Sequence, residues 1–288
     1  MIPCGSGEKR CLRKLMATHQ LPVLPPNAPY LLKALSSEEL SFRELASAVE
    51  QFPSIAARLV SLANSSWSSP VSEVTSVEMA CARLGFSVVR SVAVALSVAN
   101  VFNPNLCPAF DPVRYWCHAF LTADLGAFLA ENEGSTDPQT VRTASLLHNL
   151  GLLWLATWMP EETHEGLRAW EEEPTRPLDA VLAEHCGTGC IEAGALLSEA
   201  WKFPAVLTDA IRHQAEPAYQ EDHWVEAALV GLAGTWAHEH ETDEEAPPAQ
   251  DPRWIRLALS SELESMMLER LQRQREETRE LAKTLFSH

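Results

Sequence analysis

The chain has 288 residues, enough for one fused globule or for two lobes that share a core. Its formal net charge of −17 at pH 7 argues against nucleic acids and anionic membranes as partners, because both attract clustered lysine and arginine. Hydrophobic residues make up 46% of the chain and only 12 residues are glycine, and no alternating apolar run is long enough for a sheet, so we predict an all-helical protein.

The first hundred residues predict an N-terminal arm (1–18) followed by about five short helices. Pro22 and Pro25 stiffen the extended segment after the arm, since each proline also biases the residue before it away from helix. Ser41 and Glu44 have the spacing of a capping box, in which each side chain binds a free amide at the start of a helix.

Similar signals mark the helices that follow in this half. Pro53 suits the first turn of a helix that ends near Asn64. Thr75 and Glu78 have the spacing of a second capping box, and Gly85 is a suitable C-cap for the helix that this box begins.

Three features predict a cytoplasmic protein without a membrane anchor. The most apolar stretch, Val88 to Phe102, contains Arg90 and falls short of the ~20 residues that a membrane span requires, so we expect a buried core helix there. The seven cysteines form no CxxC pair and indicate reduced thiols. The N-terminus has basic residues but no apolar segment, so we expect no signal peptide.

The second half begins after a proline-rich joint at 103–112, where we place a boundary between two lobes. A helix is predicted over 112–132, and another begins at Pro138 and contains the adjacent polar residues His148 and Asn149. A buried polar pair of this kind needs hydrogen-bond partners. Further helices are predicted over 161–185 (two acidic helices), 191–201, 204–213 and 222–240.

The chain ends with one long amphipathic helix, which follows an acidic, proline-containing loop. We expect the apolar stripe of this helix to pack on the body of the protein or on a second copy, which would make a homodimer. The predicted organisation is therefore an arm (1–18), an N-terminal helical lobe (19–105), a second helical lobe (106–240), an acidic loop (241–251) and a C-terminal helix (252–288).

A series of short motifs runs in a fixed order through residues 19–240. The motifs are Leu21-Pro22-Val23-Leu24-Pro25, Phe52-Pro53, Leu62-Ala63-Asn64-Ser65, Ala80 to Gly85, Trp116-Cys117-His118, Ser145 to Gly151, Glu184-His185, Trp201 to Pro204 and Ala210 to His213. Together they resemble the HDOD family. This resemblance implies an all-helical, HD-like bundle in two fused lobes, of a kind found in bacterial signalling and regulatory proteins, most of which have no demonstrated enzymatic activity.

The same resemblance implies a degenerate metal site. HD phosphohydrolases, which HDOD domains resemble, hold their metal with an early His, an adjacent His-Asp pair and a later Asp. His118 and His148 match the two histidines, but Asn149 replaces the Asp of the pair and Gly234 stands where the later Asp is expected. Because both carboxylates are missing and a neutral amide is a weak metal ligand, we expect no catalytic residues here.

Two further histidines match the HD-GYP branch of these hydrolases. His185 and His213 correspond to additional ligands, although Gln214 replaces the histidine expected next. With the first two histidines they could hold a divalent ion such as zinc, iron or nickel. Alternatively, all four are inherited core residues bonded to backbone carbonyls, with no cofactor. Asp209 lies one helical turn before His213 and is a candidate to hydrogen-bond the ring nitrogen of His213 that does not bind the metal.

Asn64, Ser65 and Trp67 are candidates for an interaction surface. In one interpretation Asn64 and Ser65 face a ligand or partner. In the other they form a helix C-cap and turn, with the asparagine in the left-handed region. Trp67 lies in a serine-rich turn and is a candidate for an exposed contact residue.

The sequence therefore predicts a non-catalytic signalling or regulatory protein that acts through protein partners, with movement between the lobes around a cavity at His118 and His148. Two alternatives stay open. One is a metal-dependent phosphohydrolase of nucleotides or phosphate esters, which would require Asp124 or Glu192 to point into the cavity. The other is a sensor whose cavity holds a small anion or nucleotide without turnover.

Overall fold

The computed structural model describes residues 41–68, 72–239 and 251–287, together with Pro22. These residues form α-helices joined by turns and contain no strand, which confirms the all-helical prediction. The helices are α1 (Phe42–Glu50), α2 (Pro53–Ala63), α3 (Val77–Leu84), α4 (Phe86–Ala99), α5 (Pro112–Glu133), α6 (Pro138–Leu147), α7 (Leu150–Trp158), α8 (Pro160–Glu172), α9 (Leu178–Cys186), α10 (Cys190–Ala200), α11 (Ala205–His213), α12 (Trp224–Glu239), α13 (Pro252–Arg256) and α14 (Ser261–Phe286). The predicted arm and most of the acidic loop lie outside the described residues.

Side-chain caps set the starts of α1 and α3. Ser41 Oγ accepts from the backbone N–H of Glu44, and Glu44 Oε2 accepts from the backbone N–H of Ser41 at 2.8 Å, so the predicted capping box is present. The second predicted box is wrong by one residue. Ser76, not Thr75, caps α3 by accepting from the backbone N–H of Met79 at 3.2 Å, because the helix begins one residue later than the spacing suggested.

Gly85 joins α3 to α4 at a sharp bend. Its φ of 80° lies in a region that side chains with a Cβ rarely adopt, which allows the two helices to meet at 116°. Helix α4 ends at Ala99, three residues before the predicted end at Phe102, and Val89 to Val98 are all buried.

Within the described ranges no single helix is long and apolar enough to cross a bilayer. Helices α3 and α4 taken together have the length and composition of a membrane span, but they are bent by 116°.

Helix α5 is the centre of the second half. Its 22 residues begin after the N-cap Asp111 and end at Gly134, as the sequence predicted to within a residue or two. It packs against α6, α12 and α14. Residues from both halves belong to one hydrophobic core. The proposed joint contains a 3-10 turn at Pro104–Leu106, while the limits of the two lobes stay a prediction.

The predicted helix through His148 and Asn149 is instead two helices. Helix α6 ends at Leu147 and α7 begins at Leu150, so His148 is a C-cap and Asn149 is an N-cap with φ of −102° and ψ of 20°. The cause is local. The Ser145 carbonyl, which would accept from the backbone N–H of Asn149 in a continuous helix, lies 2.6 Å from the His148 ring nitrogen Nδ1.

The predicted C-terminal helix is also two helices. Ala258 separates α13 from α14 with φ of 51°, and the Ser260 side chain caps α14. The apolar stripe of α14 packs on α5, on α2 and on a 3-10 turn at Ser66–Ser68, and Met267 and Ala282 are fully buried. The body of the protein therefore covers this stripe, and a homodimer through the C-terminal helix stays a prediction.

Candidate functional site

His118 and His148 are neighbours at the centre of the second half. His118 lies on α5 and His148 lies between α6 and α7, and their Nε2 atoms are 3.2 Å apart. His148 Nδ1 lies 2.6 Å from the carbonyl oxygen of Ser145. Because a carbonyl oxygen only accepts, His148 carries its hydrogen on Nδ1, and its Nε2 accepts from the Nε2–H of His118.

Burial keeps His148 neutral. The residue is only 3% exposed, and desolvation, reinforced by the neighbouring His118 imidazole, lowers the pKa of His148 to about 3. The hydrogen bond to Ser145 acts in the opposite direction but does not offset the burial. His148 therefore carries no charge over the physiological pH range.

Asn149 and Gly234 border the histidine pair, as the motif mapping predicted. A Cβ atom at Gly234 would lie 3.7 Å from His148 Nε2, so a longer side chain there would reach the imidazole. Asn149 Oδ1 lies 4.0 Å from Cys190 Sγ. In the described part of the chain, Asn149 Nδ2 has no hydrogen-bond acceptor, so its N–H groups are available to the cavity.

Gln214 fixes the backbone at the histidine pair. Its Nε2 donates to two backbone carbonyl oxygens at 2.9 Å, one of them that of His148. The backbone carbonyl of Gln214 accepts from Arg253 Nη1 at 2.6 Å, and Arg253 also pairs with Asp251 at 2.6 Å. Arg253 passes so close to Gly231 that a Cβ there would lie 1.9 Å from Nη1. Gln214 is therefore a support for His148.

A cavity of about 710 Å³ lies in front of the pair. Among the lining residues that sequence reasoning missed are His238, Trp170 and Arg253. The His238 ring is 6.3 Å from that of His118 and 5.4 Å from that of Trp170, measured between centroids. His238 stands one helical turn after Gly234, which is a usable signal. Trp170 and Arg253 reach the cavity from α8 and α13, and no motif marks them.

The other two candidate histidines lie away from the pair. His185 Nδ1 is 3.9 Å from a carboxylate oxygen of Glu165. His213 stacks on Tyr219 with ring centroids 3.8 Å apart, and its Nδ1 is 3.2 Å from Glu216 Oε1. The partner of His213 is therefore Glu216 and not Asp209, and neither His185 nor His213 lines the cavity.

The two carboxylates that could have restored a hydrolytic site also point elsewhere. Asp124 binds Arg270 on α14, with an Nη2 to Oδ1 distance of 2.8 Å. Glu192 lies 3.8 Å from Arg212 Nε. Neither carboxylate lines the cavity, so the condition set for the phosphohydrolase alternative is not met by these residues.

The histidine pair by itself has a spacing that suits a metal. Two nitrogens at zinc-ligand distance from one tetrahedral ion lie about 3.3 Å apart, close to the observed 3.2 Å. The rest of the ligand set is missing, because the described ranges contain no group of three or more His, Cys, Asp and Glu side chains placed to hold a metal ion. The residues present therefore do not fit the metal centre of an HD phosphohydrolase.

The proposed interaction residues make internal contacts. Asn64 has φ of −100°, not the left-handed conformation expected, and its side chain bonds both backbone groups of Val74 at 2.8 Å. Ser65 Oγ donates to a carbonyl oxygen of α2. Trp67 Nε1 donates to the carbonyl oxygen of Glu277 on α14 at 2.9 Å. These contacts tie α2 to its neighbours, and a role in partner binding stays a prediction.

Comparison with protein-family models matches the HDOD domain over residues 21–217. Among solved structures, a protein from Marinobacter aquaeolei VT8 assigned to signal transduction has a TM-score of 0.82 and 27% identity, and the match covers 97% of this chain and 66% of that one. The chain thus spans about two thirds of that protein. No curated protein gives a match.

Two further structures share the fold. An HDOD domain protein of unknown function from Geobacter sulfurreducens has a TM-score of 0.76 and 21% identity, with 97% of this chain and 98% of that one covered. A protein from Shewanella amazonensis SB2B assigned as a phosphohydrolase has a TM-score of 0.73 and 24% identity, with 96% and 98% covered. Both comparisons support the helical architecture described above.

Proposed function

The chain belongs to the HDOD family, and on that premise we propose that it is a signalling or regulatory protein that acts through protein contacts and catalyses no reaction. The Marinobacter protein that it resembles is assigned to signal transduction, which supports the regulatory part of the proposal. The family is related to HD phosphohydrolases, so the non-catalytic part needs its own argument.

One observation carries that argument: among the residues that the structure describes, no carboxylate completes a metal-ligand group with His118 and His148. Hydrolysis by metal-bound water needs a metal held by a closed set of ligands, with carboxylates that offset its charge. Asn149 and Gly234 occupy the two expected positions, and Asp124 and Glu192 are engaged by arginines elsewhere. We therefore propose that the protein has no resident metal.

The choice of partners follows from charge and surface. A net charge of −17 disfavours nucleic acids. Exposed apolar side chains such as Ile255, at 70% exposure, and Leu106, at 59%, suit contacts with another protein. The described cysteines are all free and buried, which fits a reducing compartment such as the cytoplasm.

A second candidate function is that of a small-ligand sensor. The cavity of about 710 Å³ supports it, because ligand cavities commonly measure about 300–1,000 Å³. A sensor and a protein-contact module are compatible, since ligand binding in the cavity could change the contacts that the surface makes.

Elemental analysis combined with a phosphoester screen tests the non-catalytic proposal. Protein purified without a histidine tag is compared with His148→Ala and with the matched control His185→Ala, which removes a histidine outside the pair. We expect background metal in all three proteins and no phosphate release after addition of zinc, manganese or iron. About one equivalent of metal that is lost only in His148→Ala, together with turnover, would overturn the proposal.

A further inference from the structure

The inner end of the cavity presents hydrogen-bond donors where a metal site would present ionised acceptors. Asn149 contributes an amide group whose Nδ2 has no acceptor among the described residues. Gly234 lines the cavity without a side chain, and a Cβ there would be in ordinary contact with His148, 3.7 Å from Nε2. The lone pair on that nitrogen is already used by His118. This end therefore disfavours a cation and suits a group rich in acceptor oxygens.

The described carboxylates that line the cavity are all engaged by protein donors. Asp111 Oδ1 accepts from two backbone amides at the start of α5. Asp179 Oδ1 accepts from the backbone N–H of Ile191 at 2.7 Å. Glu171 is paired with Arg168 at 3.1 Å. Their negative charges are thus held by protein donors, and among the described residues none of them forms a metal-ligand group with the histidine pair.

The lining arginines are engaged as well. Arg253 pairs with Asp251, and Arg176 pairs with Glu184. Arg114 lies over the Trp170 ring, 5.1 Å from its centroid. An anionic ligand would therefore find its donor in the Asn149 amide, because the Nε2–H of His118 and the Nδ1–H of His148 are already used within the protein.

Part of the cavity lining is apolar. Tyr115 and Trp170 supply aromatic surface, and Leu152, Leu167 and Ile191 supply aliphatic surface. A ligand that carried only a charged head would leave this surface in contact with water. Burial of an apolar body against it adds about 25 cal/mol for each Å² removed from water.

We propose that the cavity binds a small organic anion, with a carboxylate or phosphate head at Asn149 in the space left by Gly234 and an apolar body along the Tyr115–Trp170 wall. This inference rests on the proposed non-catalytic function, because a site that held a metal would bind a phosphate head through that metal. It identifies the chemical class of ligand for the sensor role. Loss of two carboxylates thus changes the site from one that suits a cation to one that suits an anion.

The test uses titration calorimetry with four probes on the full chain: benzoate, phenyl phosphate, acetate and inorganic phosphate. We expect saturable binding of benzoate, phenyl phosphate or both, and much weaker binding of the two probes that lack an apolar body. The head group that binds more tightly identifies the ligand as a carboxylate or a phosphate ester. No saturable binding of either aromatic probe up to about 10 mM, or equal binding of all four, would overturn the inference.

Matched variants locate the binding. Asn149→Asp replaces the amide donors with a carboxylate and should weaken binding at least tenfold. Asn105→Asp makes the same charge change at an exposed position outside the cavity and should leave affinity within twofold. An equal loss in both variants would count against the site. If Asn149→Asp does not fold, Gly234→Asp places a carboxylate in the same space, where its Cβ has room.

A phosphate-release assay separates failure of this inference from failure of the proposed function. Phenyl phosphate is incubated with the wild-type protein and added manganese or zinc. Binding without phosphate release supports both proposals. Release of phosphate overturns the non-catalytic function and with it the basis of this inference. Absence of binding and of release overturns the anion site alone.

Discussion

Arg270 on α14 forms a two-point ion pair with Asp124 on α5, with Nε to Oδ2 and Nη2 to Oδ1 distances of 2.5 and 2.8 Å. The Asp124 side chain is 17% exposed, and Arg142 Nη1 lies 3.8 Å from it on the other side. The C-terminal helix is therefore fixed to the centre of the second half by a largely buried charge network. This pairing also explains why Asp124 does not serve the cavity.

Removal of Arg270 should loosen this attachment. Arg270→Ala leaves a mostly buried carboxylate with only the more distant Arg142, so we expect the free energy of unfolding to fall by about 2–3 kcal/mol. Urea denaturation measures the loss. Arg273→Ala, at an exposed position of the same helix, should change stability by less than about 0.5 kcal/mol. Equal losses in the two variants would contradict the assignment.

Two glycines should respond in opposite ways to alanine. A Cβ at Gly151 would lie 2.0 Å from the Cys190 carbonyl oxygen and 2.5 Å from the backbone nitrogen of Gly194. Helices α7 and α10 would have to separate, so Gly151→Ala should cost about 4 kcal/mol or prevent folding. A Cβ at Gly234 meets nothing closer than 3.7 Å. Gly234→Ala, inside α12, should stabilise by about 0.5–1 kcal/mol.

Thermal unfolding of both variants checks this contrast. A Gly151→Ala protein as stable as the wild type would show that α7 and α10 are not in close backbone contact. A large loss in Gly234→Ala would show that the space in front of His148 is filled, and it would also count against the anion site.

The depressed pKa of His148 makes a defined contribution to acid sensitivity. Its pKa is about 3 in the folded protein, against an ordinary value of 6.5. Between these values the unfolded chain binds the proton and the folded chain does not, so stability falls as pH decreases from about 6.5 towards 3. The expected slope for this group approaches about 1.4 kcal/mol per pH unit.

Denaturation at a series of pH values tests this contribution. His148→Gln, which cannot take up the proton, should show a shallower loss of stability than the wild type below pH 6.5. His185→Gln, which removes a histidine outside the pair, is the control for loss of a histidine in general. Parallel curves for His148→Gln and the wild type would show that His148 does not make this contribution.

Return of both carboxylates should create a metal site. The double variant Asn149→Asp, Gly234→Asp places two acidic side chains beside a pair of imidazoles whose Nε2 atoms are 3.2 Å apart. We expect it to bind about one equivalent of zinc or manganese at micromolar affinity. The wild type and a double variant of Asn105→Asp with Gly234→Ala should bind none. Calorimetry measures the stoichiometry, and failure to bind would contradict the mapping of Gly234 to the missing Asp position.

Many element boundaries followed from local sequence signals. The capping box at Ser41, the proline at the start of α2 and the glycine between α3 and α4 gave the expected boundaries, because caps and turns depend on neighbouring residues. The break at His148 was not predictable, since it depends on where a ring nitrogen points. The break at Ala258 carried no glycine or proline signal.

The sequence by itself determined what the candidate site lacks. Ordered motifs assigned His118 and His148 to one site and placed Asn149 and Gly234 where carboxylates were expected. These are facts about residue type, and the structure places all four residues together.

Only the tertiary structure decided which other side chains line the cavity. His185 and His213 match a ligand pattern yet lie apart from the pair, whereas Trp170, His238 and Arg253 reach the cavity from three separate helices. The spacing of His238 from Gly234 is a local signal, but the positions of Trp170 and Arg253 depend on how distant helices pack, and no local pattern in the chain encodes that packing.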